Sequence, residues 1–312
     1  MQRQSSPMTH LVLSLIAKPG SAALDGAVIG RIQSMLPARR QSMARLLAPD
    51  EAWETRIECA DGFTRDDLDA LVADAIGGDV LAGRPVDVNI LPGLRRRKRL
   101  LIADMDSTII QQECIDEMAD VLGLKPEIAA ITERAMRGEL PFEAALSERL
   151  RLIAGLREVE LQGVYATRIK EMPGARKLVA TMQKFGAYTA LVSGGFTFFT
   201  TRVAAAVGFD TNRANTLEIE DGVMTGRVVG PILGKEAKLA SLQDLAAARG
   251  IDLGDTLAVG DGANDLAMIG AAGLGVAYRA KPVVAAEADA GVTHGDLSAL
   301  LFLQGFGRVD FA

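Results

Sequence analysis

The 312-residue chain predicts an α/β fold in which a parallel sheet carries an inserted helical segment and follows a smaller α+β unit. Three observations lead there. Short apolar runs at Leu100–Ala103, Tyr188–Val192 and Thr256–Val259 each end in a turn of Asp, Ser or Gly, as strands buried on both faces do. Helix-length segments separate these runs, which suits parallel pairing. The first ninety or so residues have a different rhythm, with short strands and helices alternating as in a ferredoxin-like sandwich.

In chain order, Leu11–Ile16 reads as a strand and Ala22 to Leu36 as a helix closed by Pro37. Trp53 to Cys59 alternates, with Trp53, Thr55, Ile57 and Cys59 on one face and Glu54, Arg56 and Glu58 on the other. Thr64 opens a helix to about Ala75, with Asp67 completing an acidic capping start. Val86–Ile90 is the last strand, and Gly77, Gly78 and Gly83 read as loop. The basic run Arg95–Arg99 reads as a solvated linker between units 1–94 and 95–312.

Beyond it, residues 109–172 are helix-rich: Ile115–Leu122, Pro126–Arg137, Phe142–Ile153 and Arg157–Ile169 suggest a small helical cap. Leu217–Gly226 reads as a hairpin within about 215–230, because Asp221-Gly222 is a strong two-residue turn signal. A helix from about Lys235 to Arg249 precedes the third apolar run.

Net charge −6 argues against a general nucleic-acid or membrane-surface binder. No apolar stretch has the roughly 18–20 residues of a spanning helix. Cys59 and Cys114 have no metal or redox spacing, and His10 and His294 form no ligand cluster. Reduced thiols and a cytoplasmic location are expected.

Chemistry concentrates at the strand ends, where open α/β sheets bind ligands. Asp104 and Asp106 follow the first run two residues apart, on one face if the strand continues. One would serve as nucleophile or metal ligand and the other as acid/base. A divalent cation would relieve their repulsion. A plain strand-end turn with an Asp at a helix N-cap fits the same residues. Ser193-Gly194-Gly195 offers a hydroxyl and open backbone amides to phosphate oxygens. Gly260-Asp261-Gly262-Ala263-Asn264-Asp265 offers hard oxygen donors. Lys235 or Lys238, between these units, would balance phosphate charge.

In that order, Asp104-Met-Asp-Ser-Thr108, Ser193-Gly-Gly195, a lysine and Gly260-Asp-Gly-x-Asn-Asp265 resemble the haloacid dehalogenase-like phosphohydrolases over about residues 98–300. Glu113, Met136–Phe142, Ser147–Leu152 and Met172–Ala175 are similar to segments of the phosphoserine phosphatase family within that superfamily. The place of residues 1–94 resembles the ACT-like domain ahead of many such bacterial enzymes. The resemblance implies a Rossmann-like core and hydrolysis of a small molecule, phosphoserine, through an aspartyl-phosphate. It makes Asp104 the nucleophile and Asp106 the acid/base. Mg²⁺ would be held by Asp104, the Asp106 carbonyl and Asp261, with Asp265 supporting. Ser193, Gly194 and Lys238 would hold the phosphoryl group. Glu113 would take the ammonium and Arg149 the carboxylate, although a cap-surface salt bridge is the plain alternative for Arg149. Met136 and Phe142 would line the pocket and Asn264 would orient the substrate. A homodimer is compatible with this reading. Another small-molecule phosphatase, a phosphomutase or phosphotransferase, and an amino-acid-sensing regulator with a vestigial site are the rival readings.

Overall fold

The computed structural model describes residues 10–36, 41–58, 64–73, 80–136 and 139–312. The first unit contains β1 (His10–Ala17), α1 (Gly26–Met35), β2 (Gln41–Ala48), β3 (Ala52–Glu58), α2 (Arg65–Leu71) and β4 (Val86–Pro92). Its antiparallel sheet has the order β2-β3-β1-β4. Leu11, Leu13, Leu15, Trp53 and Ile57 pack on one face against Val28 and Ile32 of α1 and Leu68 of α2. The Thr64–Asp67 capping box forms as expected. Helix α1 starts later than predicted, because Asp25 accepts the Val28 N–H at 2.9 Å while Leu24 is bridged to Asp50. Pro37, Cys59, Gly77 and Gly78 lie outside the described residues.

Two expectations need correction. Strand β2 was not anticipated, and it forms the edge of this sheet. The basic run is a solvated linker only in part: Arg95, Arg97 and Arg99 are exposed, whereas Arg96 and Lys98 are drawn into the fold. Arg96 pairs with the buried Glu54 at 2.7 Å and donates to the carbonyls of Phe302 and Leu303. Lys98 is buried and donates to the Gly254 carbonyl at 2.7 Å, while Arg95 pairs with Asp252 and Asp255. On the outer face of β3, Glu54 is thus covered by pairing with Arg96 and Arg45.

The second unit contains β5 (Leu100–Ala103), α3 (Cys114–Val121), α4 (Lys125–Met136), α5 (Phe142–Leu152), α6 (Glu158–Thr167), α7 (Ala175–Lys184), β6 (Tyr188–Phe196), α8 (Thr197–Val207), β7 (Thr211–Glu220) and β8 (Val223–Val229). There follow α9 (Lys235–Ala248), β9 (Thr256–Gly260), α10 (Leu266–Ala271), β10 (Leu274–Tyr278), α11 (Pro282–Glu287), β11 (Ala290–Val292) and α12 (Ala299–Leu303). The sheet order is β11-β10-β9-β5-β6-β7-β8, parallel throughout except for β8. Every residue of β5 is completely buried. The chain leaves β5 for β6 on one side and returns to β9 on the other, so a crevice opens at the carboxyl ends of these three strands.

Helices α3–α6 leave and rejoin the sheet beside one another: the Met172 N–H donates to the Ile109 carbonyl at 2.8 Å and the Gln111 N–H to that of Lys170 at 2.9 Å. The predicted hairpin is β7–β8. Asp221 and Gly222 both have positive φ, 49° and 78°, as a type I′ turn requires. The hairpin is bonded to the α5–α6 connection through Gly155, Leu156 and Glu158. Among the described residues no helix is long and apolar enough to cross a membrane.

Candidate active site

Asp104 leaves β5 with its N–H still donating to the Val259 carbonyl, which fixes the direction of its side chain. The chain then coils tightly. The N–H groups of Thr108, Ile109 and Ile110 all donate to the Met105 carbonyl, and Ser107 takes a left-handed φ of 55°. This coil brings Asp106 into the same crevice, where its carboxylate accepts the Cys114 N–H at 3.1 Å.

Opposite stands Ser193, where the regular pairing of β6 with β7 breaks off after Val192, buried, with its Oγ accepting the Gly195 N–H at 2.9 Å. A Cβ on Gly195 would lie 2.9 Å from an Asp106 oxygen, so only glycine lets the two turns approach this closely. The Gly194 carbonyl accepts from Asn215 Nδ2 at 2.8 Å. Asn215 in turn accepts the Leu233 N–H at 2.7 Å, tying the β6 turn to the segment that leads into α9.

Lys238, on the first turns of α9, is fully buried. Its Nζ lies 2.6 Å from Asp104 Oδ1 and 2.6 Å from Asp265 Oδ1. Lys235 points outward, mostly exposed, toward Glu236, so the choice between the two lysines falls on Lys238. Asp265 is buried, and its second oxygen accepts the Gly262 N–H at 3.1 Å. Asp261 accepts from Thr108 Oγ1 at 3.4 Å.

The electrostatics follow from burial. Burial disfavours the Lys238 charge, but Asp104 and Asp265 outweigh it and hold its pKa above the ordinary value. Burial, then Asp265, push the Asp104 carboxyl up against the pull of Lys238. The close contact to a charged ammonium makes Asp104–Lys238 an ion pair, and the upward push on Asp104 expresses excess negative charge around it. Burial, then Glu113, push Asp106 up to about 7, and burial, then Asp265, push Asp261 up to about 6.

Oxygens of Asp104, Asp261 and Asp265 lie within 4.8 Å of one another. Lys238 pairs with two of these three carboxylates, and Lys281 and Lys238 only partly offset the charge at the third, Asp261, so a divalent cation fits the deficit, and the all-oxygen donor set suits a hard ion. Because both Asp265 oxygens already accept hydrogen bonds, Asp104 and Asp261 are the freer donors.

The cap residues are spread more widely. Phe142, at the start of α5, packs over Gly194, with ring carbon Cζ 3.3 Å from where a Cβ would stand. Glu113 stands at the start of α3, near Asp106, and accepts from Ser107 Oγ at 2.7 Å. Arg149 is half-buried within the cap, donating to the Ala145 carbonyl and to Thr132 Oγ1. Burial lowers its pKa, partly offset by Asp116 and Glu113. It forms no ion pair among the described residues, so the surface salt bridge is not seen. Asn264 is half-buried beside Gly262 and makes no hydrogen bond to the other site residues described. The side chain of Met136 lies outside the described residues. Sequence reasoning missed Ser107, Thr108 and Asn215. The first two stand inside the Asp104–Thr108 motif and were available, whereas nothing in the sequence marks Asn215.

A family model described as haloacid dehalogenase-like hydrolase matches residues 101–270. The chain is 45% identical over 213 residues to phosphoserine phosphatase SerB2 of Mycobacterium tuberculosis, a match that covers 68% of this chain and 52% of that protein. It therefore spans about half the length of that relative. It is 47% identical over 200 residues to the phosphoserine phosphatase of Streptococcus thermophilus, covering 64% of this chain and 93% of the relative. The crystal structure of a HAD family hydrolase from Salmonella enterica serovar Typhi superposes with a TM-score of 0.81 at 31% identity, over 94% of this chain and 98% of that one.

Proposed function

This chain belongs to the haloacid dehalogenase-like hydrolases, and we propose that it hydrolyses O-phospho-L-serine to L-serine and phosphate, the last step of serine biosynthesis, through a phosphorylated Asp104. The observation that carries the reading is the buried Asp104–Lys238–Asp265 cluster facing Asp106 across the strand ends.

Asp104 attacks phosphorus in line with the serine oxygen. Asp106, with a pKa near neutrality, is available in both protonation states. It gives its proton to the departing alkoxide, then takes one from the water that cleaves the acyl phosphate. Lys238 and the Ser193–Gly194 turn hold the phosphoryl oxygens, and Asn215 keeps that turn in place. A bound Mg²⁺, held by Asp104, the Asp106 carbonyl and Asp261 with Asp265 supporting, would supply further charge neutralisation. Glu113 and Arg149 read the ammonium and carboxylate, Met136 and Phe142 line the pocket, and Asn264 orients the substrate. In this reading residues 1–94 form an ACT-like domain and 95–312 the phosphatase domain, which works in the cytoplasm on a small molecule, alone or as a homodimer.

The test is phosphate release from phosphoserine and from a plain aryl phosphate. Arg149→Ala should cost about 2–5 kcal/mol in kcat/KM for phosphoserine and much less for the aryl ester. An unchanged ratio between the two substrates would remove Arg149 as the carboxylate clamp. Equal wild-type efficiency on both would remove phosphoserine as the preferred substrate.

A further inference from the structure

Outside the catalytic crevice the structure forms a second polar pocket of about 180 Å³, open to solvent on one side, at the junction of the two sheets. Arg45 and Arg56 reach it from β2 and β3, and Arg96 and Arg97 from the segment before β5, with Glu54 and Gln304 completing the charged and polar lining. It lies on the amino-terminal side of β5, at the opposite end of the strand from Asp104.

Four guanidiniums and one carboxylate line this space. Glu54 is shared, 2.7 Å from Arg96 and 3.3 Å from Arg45. The remaining partners of Arg96 and Arg45 are carbonyls of the C-terminal turn, which accept hydrogen bonds without neutralising charge. Arg97 is held over the Phe306 ring at 4.4 Å, with Asp310 no nearer than 3.9 Å. Arg56 has no hydrogen bond or ion pair among the described residues. Burial depresses the pKa of Arg96, and Arg45 and Arg56 depress it further against the pull of Glu54. Arg45 and Arg97 are about half exposed, so water reaches this space, but in a chain of net charge −6 four guanidiniums around one carboxylate leave a local excess of positive charge that an anion would balance. The planar forks of several arginines match tetrahedral oxyanions.

We propose that this cavity is a binding site for a dianionic phosphate group, which would bridge the first sheet to the segment entering β5. Free phosphate and a phosphomonoester share this chemistry.

The test uses the full-length chain, with thermal unfolding followed at constant ionic strength as inorganic phosphate or a non-hydrolysable alkylphosphonate replaces chloride. Phosphate bound at the catalytic crevice contributes equally to wild type and to Arg56→Ala, so the difference between them reports the cavity. Among the described residues Arg56 holds no partner in place, and turnover of Arg56→Ala without added phosphate should stay within about twofold of wild type. The expected result is a saturable rise in melting temperature, of which Arg56→Ala loses at least half. Arg97→Gln, a second variant, should lose a similar share. A larger effect of the phosphonate points to a phosphomonoester, and an equal or smaller one to free phosphate. Identical phosphate responses in wild type and both variants would overturn the proposal.

Discussion

Lys238 holds two buried carboxylates at 2.6 Å each, so removing its charge leaves both uncompensated. Lys238→Ala should destabilise the protein by about 3–5 kcal/mol and lower kcat at least about 100-fold. Lys235→Ala, on the exposed side of the same turn, should change stability by less than about 0.5 kcal/mol. Denaturant unfolding and steady-state rates of the two variants check this, and similar effects from both would contradict it. The carboxylates also set an unusual pH dependence. Asp106 and Asp261 are raised to about 7 and about 6 in the folded protein, whereas unfolded carboxylates titrate near about 4. Between those values the folded state holds protons that the unfolded chain has released, so their contribution to stability falls as pH rises from about 4 to 7. In metal-stripped protein this contribution should appear as a loss of melting temperature from pH 5 to 8 that is smaller in Asp106→Asn. Excess Mg²⁺ should flatten it, and identical slopes in wild type and variant would contradict the raised pKa. The carboxylates were legible in the sequence because they follow the apolar strands β5 and β9, whereas Lys238 was read from its place at the start of a helix between two such strands. Asn215 was not, because what it bonds, Gly194 and Leu233, is brought to it only by the fold.

Elements were legible where their period was clean. The β5, β6 and β9 runs and the four cap helices lie within a few residues of expectation. Strand β2 escaped because its pairing with β3 shifts register between Ser42 and Arg45 and again between Leu46 and Ala48, which breaks the two-residue alternation that marks a strand. The basic run misled for a related reason: Glu54, Asp252, Asp255 and Phe302 lie about forty to two hundred residues away in the chain, beyond any local pattern. At this scale the cap meets the sheet through Phe142 of α5 over Gly194. A methyl group there would stand 3.3 Å from the ring, closer than ordinary contact, so the ring must yield for the cap to settle. Gly194→Ala should therefore lower kcat/KM for phosphoserine about tenfold or more through misplacement of the pocket. Gly194→Ala combined with Phe142→Leu should recover part of the loss. Kinetics of the single and double variants check this, and a double variant worse than the product of its parts would contradict it.

At the scale of the molecule, the two sheets are joined by side chains that imitate backbone. Asn89 on β4 exchanges two hydrogen bonds with Gly291 of β11, at 2.8 and 3.0 Å. Asp87, also on β4, is buried and accepts the N–H groups of Thr293, His294 and Gly295 at 2.8–3.1 Å. The segment it grips continues toward the site. The Leu297 N–H donates to the Pro173 carbonyl at the cap return, and Arg279 bonds the Gly295 carbonyl and the Met172 sulfur. Two residues beyond Arg279, the Lys281 N–H donates to the Asp261 carbonyl. Contacts thus run from the first sheet to both the cap return and a proposed cation ligand. Asp87→Ala would leave three backbone amides without their acceptor, at a cost of about 2–4 kcal/mol, concentrated at the junction. Wild type should unfold in one transition, with Asp87→Ala separating into an early loss of the first sheet and a later loss of the second. The Trp53 signal, from the first sheet, should precede the loss of catalytic activity in denaturant. Asp87→Asn keeps one acceptor oxygen and should fall between the two. If Trp53 fluorescence and activity still fall together in Asp87→Ala, at the wild-type denaturant midpoint, then Asp87 does not carry the junction and the Asn89–Gly291 bonds and the arginine contacts hold the two sheets.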